Sequence, residues 1–155
     1  ADATQSYHDL LDLVKAYLII QSSEAIQVHQ AWHESRKDQY DPQTWERINV
    51  GKQWSPTDIE AAVETKNKVK KFFDDLFHQY DFAVLPVAPV PAPLLGTSTA
   101  LREVHLTLTT PGSLAGLPTL TIPYFMESGL SGGLQIMVPD LSPKSIAIWK
   151  GLLHG

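Results

Sequence analysis

Proline is concentrated in the middle of this chain, and that concentration limits the possible folds more than any other feature. Five of the eleven prolines fall between Pro86 and Pro111. A proline has a fixed φ and no backbone N–H, so it interrupts helices and central strands. We therefore expect an extended, irregular loop from Pro86 to Gly96, with different structure on its two sides.

Apolar residues before this loop recur at helical spacing. A first helix is predicted from Leu10, Leu11, Val14, Tyr17 and Leu18. Ser22 is predicted to cap a second helix that runs through Glu24, Ile26 and Trp32. A short helix is predicted from Trp45 to Val50, after the turn at Asp41-Pro42.

The strongest helix signal begins at Ser55. Ser55 suits the N-cap, Pro56 follows where its missing N–H costs nothing, and Asp58 suits the positive end of a helix. One face is then apolar as far as Tyr80. The Lys66, Lys68, Lys70 and Lys71 cluster shares this helix with acidic residues, so we interpret it as a solvated face.

Strands dominate the rest of the chain. We predict a buried strand from Phe82 to Leu85, and two strands, Thr119–Phe125 and Gly133–Val138, around a turn at Glu127–Ser131. Ser142-Pro143 repeats the helix-start signal. The predicted fold is α/β, a mixed β-sheet flanked by helices in one domain. Residues 1–80 are helical, 81–140 are rich in strands and loops, and 142–153 form a last helix.

Composition excludes several classes of function. The net charge is −5, which disfavours a nucleic-acid surface. The sequence has no cysteine, so disulfides and thiolate metal sites are impossible, and no apolar run approaches the ~18 residues of a membrane span. We expect no cofactor, no metal, no membrane partner and a cytoplasmic location. The chain begins at Ala1 rather than Met, so we do not expect translation to have started there.

Two motifs suggest chemistry but fit a structural interpretation better. His29 and His33 have the spacing of a helical metal pair, yet no third ligand follows at a suitable distance, and Glu34 does not complete H-E-x-x-H. Gly129–Gly133 matches G-x-S-x-G, but a serine nucleophile elbow needs a helix after Ser131. A strand is predicted there, so a hairpin turn is favoured.

Five segments, taken in order, carry a resemblance to a known family. Tyr80–Pro86 reads YDFAVLP, Ala88–Pro93 reads APVPAP, Thr109–Pro118 reads TTPGSLAGLP, Thr119–Pro123 reads TLTIP, and Gly129–Pro139 reads GLSGGLQIMVP. They resemble the D-hydrophobic-L-L-T-P, T-P-x-P-A-P, T-x-P-x-N-L-x-G-L-P, A-x-S-V-P and G-L-P-x-G-L-Q-L-x-G-P segments of the amidase-signature hydrolases. Upstream, Ser23–Ala25 and the helix from Ser55 fit that family more loosely.

Three positions depart from the family pattern. Ser113 stands where asparagine is usual, and Ser131-Gly132 stands where Pro-x is usual. Leu106 occupies the place where glutamine-using members carry an acidic residue that holds the amide donor. The resemblance therefore points away from the glutaminyl-tRNA amidotransferases and toward an amidase.

The resemblance implies a catalytic Ser–cis-Ser–Lys triad. The lysine acts as base through the middle serine, and the last serine attacks the amide carbonyl, with backbone N–H groups stabilising the oxyanion. The family's lysine and its Gly/Ser-rich segment lie N-terminal to the region matched here. No catalytic residue can therefore be assigned in this chain, and we expect the chain alone to be inactive.

The resemblance also implies what this region contributes to such an enzyme. It would supply C-terminal strands of the sheet and part of the acyl-side pocket wall for a small-molecule amide. The candidate pocket residues are Thr109, Thr110, Pro111, Gly112 and Ser113, in a loop for which a structural turn is the alternative; the segment around Arg47 is a weaker candidate for the substrate entrance. Two hypotheses remain for the chain, a C-terminal fragment that pairs with an N-terminal half or self-associates, and a free-standing non-catalytic module of the same fold.

Overall fold

The structure is a computed structural model that describes residues 3–92, 94, 98–127 and 129–154. For residues 3–8, 98–101, 103 and 154 it describes the backbone alone. Pro93, Leu95 and Gly96 of the predicted loop and Ser128 of the predicted turn lie outside this description. Residues 87–92 have no helix or strand, which agrees with the expected irregular loop.

Five α-helices and three strands are found in the described residues. The helices are α1 (Ala3–His29), α2 (Pro42–Asn49), α3 (Pro56–Phe77), α4 (Ser98–Ala115) and α5 (Pro143–His154). The strands are β1 (Ala83–Pro86), β2 (Thr119–Phe125) and β3 (Ser131–Met137), and two 3₁₀ turns lie at Lys37–Gln39 and Val50–Gln53. The predicted α/β class is confirmed. The residues group into two compact units, residues 1–14 with 67–155, and residues 15–66.

Within the unit of residues 15–66, the core lies between α1 and α3. Ala16, Ile19 and Ala62 are buried there, and Ile20, Trp54 and Ile59 pack against them.

Ser22 does not cap a second helix, so that prediction was wrong. Helix α1 runs without a break from Ala3 to His29. The Ser22 hydroxyl donates to the carbonyl of Leu18 (2.7 Å), one turn earlier, and accepts from Trp54 Nε1 (2.8 Å). A serine whose hydroxyl bonds the preceding turn can remain inside a helix, so residue type alone did not locate a boundary.

The helix starts predicted at Ser55 and Ser142 are confirmed, and Asp41, which was predicted to lie in a turn before the short helix, caps that helix instead. Asp41 Oδ1 accepts from the backbone N–H of Thr44 (3.0 Å) at the start of α2. Ser55 Oγ accepts from the N–H of Asp58 (3.2 Å), whose carboxylate accepts in return from the N–H of Ser55 (2.9 Å). This reciprocal pair is a capping box. Ser142 Oγ accepts from the N–H of Ser145 (3.4 Å) at the start of α5.

The sheet has the order β1-β3-β2, and both pairings are antiparallel. Val138 N–H donates to Pro118 O and Met126 N–H to Leu130 O, so the even-numbered residues of β2 bond to β3. The ring nitrogen of Pro123 therefore faces away from β3. The bond from Val87 N–H to Gly133 O places Pro86 in the same outward position on β1. Each edge strand thus carries a proline where an added strand would need an N–H.

Ser131 belongs to a strand rather than to the turn predicted for Glu127–Ser131. It is the first residue of β3 and lies opposite Phe125. Gly129 alone takes the left-handed conformation in the described part of this connection, with φ of 80°. A glycine adopts that conformation without a steric penalty, so the reversal of the chain is centred on Gly129.

Each face of the sheet is covered over only part of its area. On β3, Leu134 is 39% exposed, whereas Ile136, on the same face, is 3% exposed. Val84 and Tyr124, which share the face of Leu134 by register, are also exposed. An apolar patch at Val84, Tyr124 and Leu134 is therefore left open to solvent.

Candidate functional site

The candidate pocket residues Thr109–Ser113 lie on the last two turns of α4, so the predicted loop was wrong. Pro111 is inside this helix. Its missing N–H removes one bond, to the carbonyl of Thr107, and leaves the remaining turns able to form. Proline and glycine therefore did not indicate a loop here, because Pro111 costs the helix one hydrogen bond and Gly112 costs it none.

Glycine ends α4 three residues after Ser113. Gly116 has φ of 70°, its N–H donates to Ser113 O (3.2 Å), and the N–H of Leu117 donates to Gly112 O (3.0 Å). This pair of bonds is a Schellman motif, which satisfies the last carbonyls of a helix. The motif holds the C-terminal turn of α4 in one conformation, and Ser113 with it.

The five candidate residues differ in their exposure to solvent. Thr110 is 1% exposed, and Pro111 and Gly112 are also buried. Thr109 is half-buried and Ser113 is exposed. These two are four residues apart and share one face of the helix. Within the described chain they are therefore the two candidates that a ligand can reach directly.

Helix α4 approaches β3 very closely at Gly112. A Cβ added there would lie 2.8 Å from Met137 Sδ. That separation is shorter than a normal contact, so a side chain at residue 112 would require the flexible Met137 side chain to move.

Gln135 was not singled out from the sequence, although it touches both α4 and β1. Its Nε2 donates to the carbonyl of Leu108 in α4 (2.7 Å) and to the carbonyl of Pro86 in β1 (3.0 Å). The sequence signal that could have found it was a lone amide within the apolar run Leu134–Val138. A polar residue in such a run must find partners when it is buried.

The His29 and His33 pair does not form a metal site. His29 Nδ1 lies 2.6 Å from the Tyr40 hydroxyl, and the His33 ring stacks on Trp45 with centroids 5.0 Å apart. In the part of the chain that the structure describes, no three His, Cys, Asp or Glu side chains are grouped to hold a metal ion. His33 is 1% exposed and its ring nitrogens have no partner among the described residues.

The serine nucleophile elbow is also ruled out. Ser131 begins β3, and the residues that follow it form a strand to Met137. The elbow needs a helix immediately after the serine, because the sharp strand-to-helix turn is what exposes the hydroxyl.

The charged groups of α3 and α5 form surface ion pairs. Lys70 pairs with Asp74 (3.3 Å) and Lys71 with Asp75 (2.9 Å). The expected solvated face is confirmed for these two lysines. Lys144 of α5 pairs with Asp81 (2.6 Å), and the hydrogen bond from this ammonium to the carboxylate raises the pKa of Lys144. Pairs this exposed add little stability.

Arg47, the weaker candidate for the substrate entrance, is bonded within its own helix. Its Nη2 donates to Thr44 Oγ1 (2.9 Å) and its Nε to Gln43 O (3.2 Å). No described helix is long and apolar enough to cross a membrane.

Comparison with known proteins identifies the family. The α/β fold and the ordered segments from Asp81 to Pro139 define a protein of the amidase-signature class. A family model described as Amidase matches residues 3–146. The chain belongs to the amidase family, as its resemblance predicted.

Individual relatives cover the chain but are much longer than it. A glutamyl-tRNA(Gln) amidotransferase subunit from Agathobacter rectalis is 31% identical over 137 residues, 81% of this chain and 27% of that protein. A crystal structure of an amidase has a TM-score of 0.80 and 28% identity, over 94% of this chain and 36% of that one. An inhibitor-bound complex described as revealing the origins of an s-triazine catabolic enzyme has a TM-score of 0.76 at 21% identity, over 88% of this chain and 32% of that one, which shows the fold alone. The chain thus spans about a quarter to a third of the length of these relatives.

Proposed function

We propose that this chain is the C-terminal part of an amide hydrolase and supplies one wall of its acyl-side pocket. The observation that carries the proposal is the accessible row on α4. Thr109 and Ser113 present two hydroxyls from a helix that is held against the sheet at Gly112 and ends in a fixed turn. Hydroxyl groups at that spacing can orient a polar atom of a small ligand by hydrogen bonding.

In the proposed enzyme the bond-breaking chemistry belongs to residues outside this chain. A lysine, acting through one serine, removes the proton of a second serine, which attacks the amide carbonyl. The amine leaves with a proton, and water then hydrolyses the acyl-enzyme. The chain described here would position the acyl group during both steps, since a small displacement of a bound substrate slows the attack.

Leu106 supports hydrolysis of amides other than glutamine. It lies one turn before Thr109 on the same side of α4 and is half-buried. An acidic residue at this place would attract the ammonium group of glutamine, and a leucine offers no such charge. An apolar or aryl acyl group fits this surface better.

Amidotransferase activity is the second candidate, because the curated relative from Agathobacter rectalis is described as part of an amidotransferase. The structural similarity to an amidase, with a TM-score of 0.80 at 28% identity, supports the first candidate. An assay with an aryl amide and, separately, with glutamine as amide donor distinguishes the two.

The pocket proposal is tested by paired variants in the whole enzyme. Loss of one hydrogen bond to the ligand should raise KM for an aryl amide by about 2- to 10-fold in Thr109→Val or Ser113→Ala. Thr65→Val is the matched control, because Thr65 is half-buried like Thr109 and its hydroxyl also bonds a carbonyl of its own helix (Ala61 O, 3.1 Å; for Thr109, Leu106 O, 3.5 Å). If KM is the same in all three variants, α4 is not the pocket wall.

The chain by itself should not hydrolyse an aryl amide. The measurement is turnover by the purified chain, with Ser131→Ala as control. Turnover that survives this substitution would show that catalytic residues are present after all. Turnover that is lost with Ser131 would mean that this serine is a nucleophile despite its place in β3.

A further inference from the structure

At two neighbouring positions of β3, Leu134 and Gln135, burial is opposite to what side-chain polarity alone predicts. Gln135 is 4% exposed, whereas the neighbouring Leu134 is 39% exposed. Burial of an amide is unfavourable unless its hydrogen bonds are made inside the protein. The buried amide of Gln135 therefore requires hydrogen-bond partners inside the protein.

Both contacts of the Gln135 amide nitrogen are carbonyl oxygens. One belongs to Leu108, the residue immediately before Thr109, and the other to Pro86, at the end of β1. Two carbonyls can only accept, so the two N–H bonds of the amide are both used. A single side chain on β3 thus connects the end of β1 with α4 at the point where the accessible row begins.

Helix α4 needs support at this point. Pro111 cannot donate to the carbonyl of Thr107, so the helix lacks one of its bonds in the turn that carries Thr109. Gly112 packs against the Met137 side chain of β3, which brings the helix close to the sheet. The contact between Gly112 and Met137 is steric and does not fix the position of α4 along its own axis. The hydrogen bond to Leu108 O is directional and can fix that position.

We propose that Gln135 is a positioning residue, which holds α4 through Leu108 so that Thr109 and Ser113 stand at a fixed place in the pocket wall. The proposal rests on the proposed function of that row. It assigns Gln135 no contact with the substrate.

The first test measures backbone hydrogen exchange in the 155-residue chain. Gln135→Met keeps the length of the side chain and removes both donors. We expect the backbone amides of residues 109, 110 and 112–115 to exchange about tenfold faster, because local opening costs less once the hydrogen bonds are lost, with little change in β2 and β3. Uniform acceleration across α4 and the strands would overturn the proposal, since Gln135 would then contribute only to general stability.

The matched control is Ile136→Val. Ile136 is the next residue of β3, on the opposite face of the sheet, and is 3% exposed, and this exchange changes packing without removing a hydrogen bond. It should leave the amide exchange of residues 109, 110 and 112–115 within about twofold of wild type. If it accelerates these amides as much as Gln135→Met does, Gln135 contributes only to general stability.

A measurement on the unmodified chain applies even if Gln135→Met fails to fold. The side-chain amide of Gln135 should give two separate NMR signals with slow solvent exchange, because both protons are bonded and buried. Exchange as fast as that of an exposed glutamine such as Gln53 would overturn the proposal.

Kinetics of the whole enzyme separate this proposal from the function on which it rests. Gln135→Met should raise KM for an aryl amide by about fivefold or more and change kcat by less than about threefold, the pattern of a displaced binding surface. If Thr109→Val raises KM and Gln135→Met does not, the positioning role is wrong and the pocket wall stands. If neither raises KM, the pocket wall is wrong, and with it the role of Gln135 in substrate binding.

Discussion

Gly51→Ala should break the packing of the unit of residues 15–66 at one defined point. Gly51 lies in the 3₁₀ turn Val50–Gln53, and a Cβ added there would overlap the carbonyl carbon and oxygen of Ser22 and lie 2.8 Å from Ile26 Cγ2. The carbonyl atoms belong to the backbone of α1 and cannot rotate away. The turn must therefore move away from the helix.

The expected cost combines three terms. Overpacking of this kind costs about 1–3 kcal/mol. The bond from Trp54 Nε1 to Ser22 Oγ is three residues from the clash and contributes about 0.5–1.5 kcal/mol, which is lost if the turn moves. The lower backbone entropy of alanine in the unfolded chain offsets about 0.4–1 kcal/mol. The net destabilisation is about 2 kcal/mol, which lowers Tm by about 4–8 °C in a protein of this size.

Gly151→Ala is the matched control. Gly151 lies inside α5, and an added Cβ there has nothing within 4 Å. Helix propensity should then raise stability by about 0.5–1 kcal/mol. Circular dichroism gives Tm for both variants, and hydrogen exchange of residues 15–66 shows whether the loss is local. A Tm for Gly51→Ala within about 2 °C of wild type would refute the steric argument.

Three further outcomes are expected. Ser131→Pro should change the free energy of unfolding by no more than about 1 kcal/mol. The register directs the Ser131 N–H away from β2, so no bond to β2 is lost, and proline reduces the entropy of the unfolded chain. A Tm lowered by more than about 8 °C would contradict this. Hydrogen bonds from Ser55 lower the pKa of Asp58. The stability that the Asp58 carboxylate gives to α3 is therefore present above the unfolded-state pKa and is lost as pH falls below about 4. Hydrogen-exchange protection at the start of α3 should decrease in acid, and Asp58→Asn should remove this pH dependence. The isolated chain should bind a hydrophobic dye and self-associate through the exposed apolar patch at Val84, Tyr124 and Leu134. Leu134→Lys should reduce both effects, and Leu141→Lys, at an exposed leucine outside the strands, should not. A wild-type chain that is monomeric and binds no dye would oppose the idea.

Local signals in the sequence located most of the secondary structure correctly. Ser55 and Ser142 each stand before a proline, and each begins a helix at the predicted place. The strand Thr119–Phe125 has the predicted bounds, and the strand predicted from Phe82 to Leu85 lies at Ala83–Pro86. These features succeed because capping and strand propensity depend on neighbours along the chain. The prediction that the strand at Ala83–Pro86 is buried was wrong, because none of its residues is buried and Val84 and Pro86 are exposed.

The candidate site was predicted less well because its form depends on contacts distant in sequence. The residues Thr109–Ser113 were identified as a group, but their helix was not. Nothing within ten residues of Pro111 shows that a glycine one position later will lie against Met137. That contact, and the bond from Gln135 to Leu108 across 27 positions, stabilise a helical turn that local propensity disfavours.

The sequence by itself determined the family, the starts of α3 and α5 and the approximate positions of the three strands, since those depend on ordered motifs and on residues near one another in the chain. Only the tertiary structure decided that Ser22 lies inside a helix, that Gln135 is buried while Leu134 is exposed, and that Thr109 and Ser113 alone of the five candidate residues are accessible. Burial and hydrogen-bond partners are set by which elements pack together. The residue type sets the free-energy cost of burying a side chain, but the neighbouring groups decide whether hydrogen bonds offset that cost.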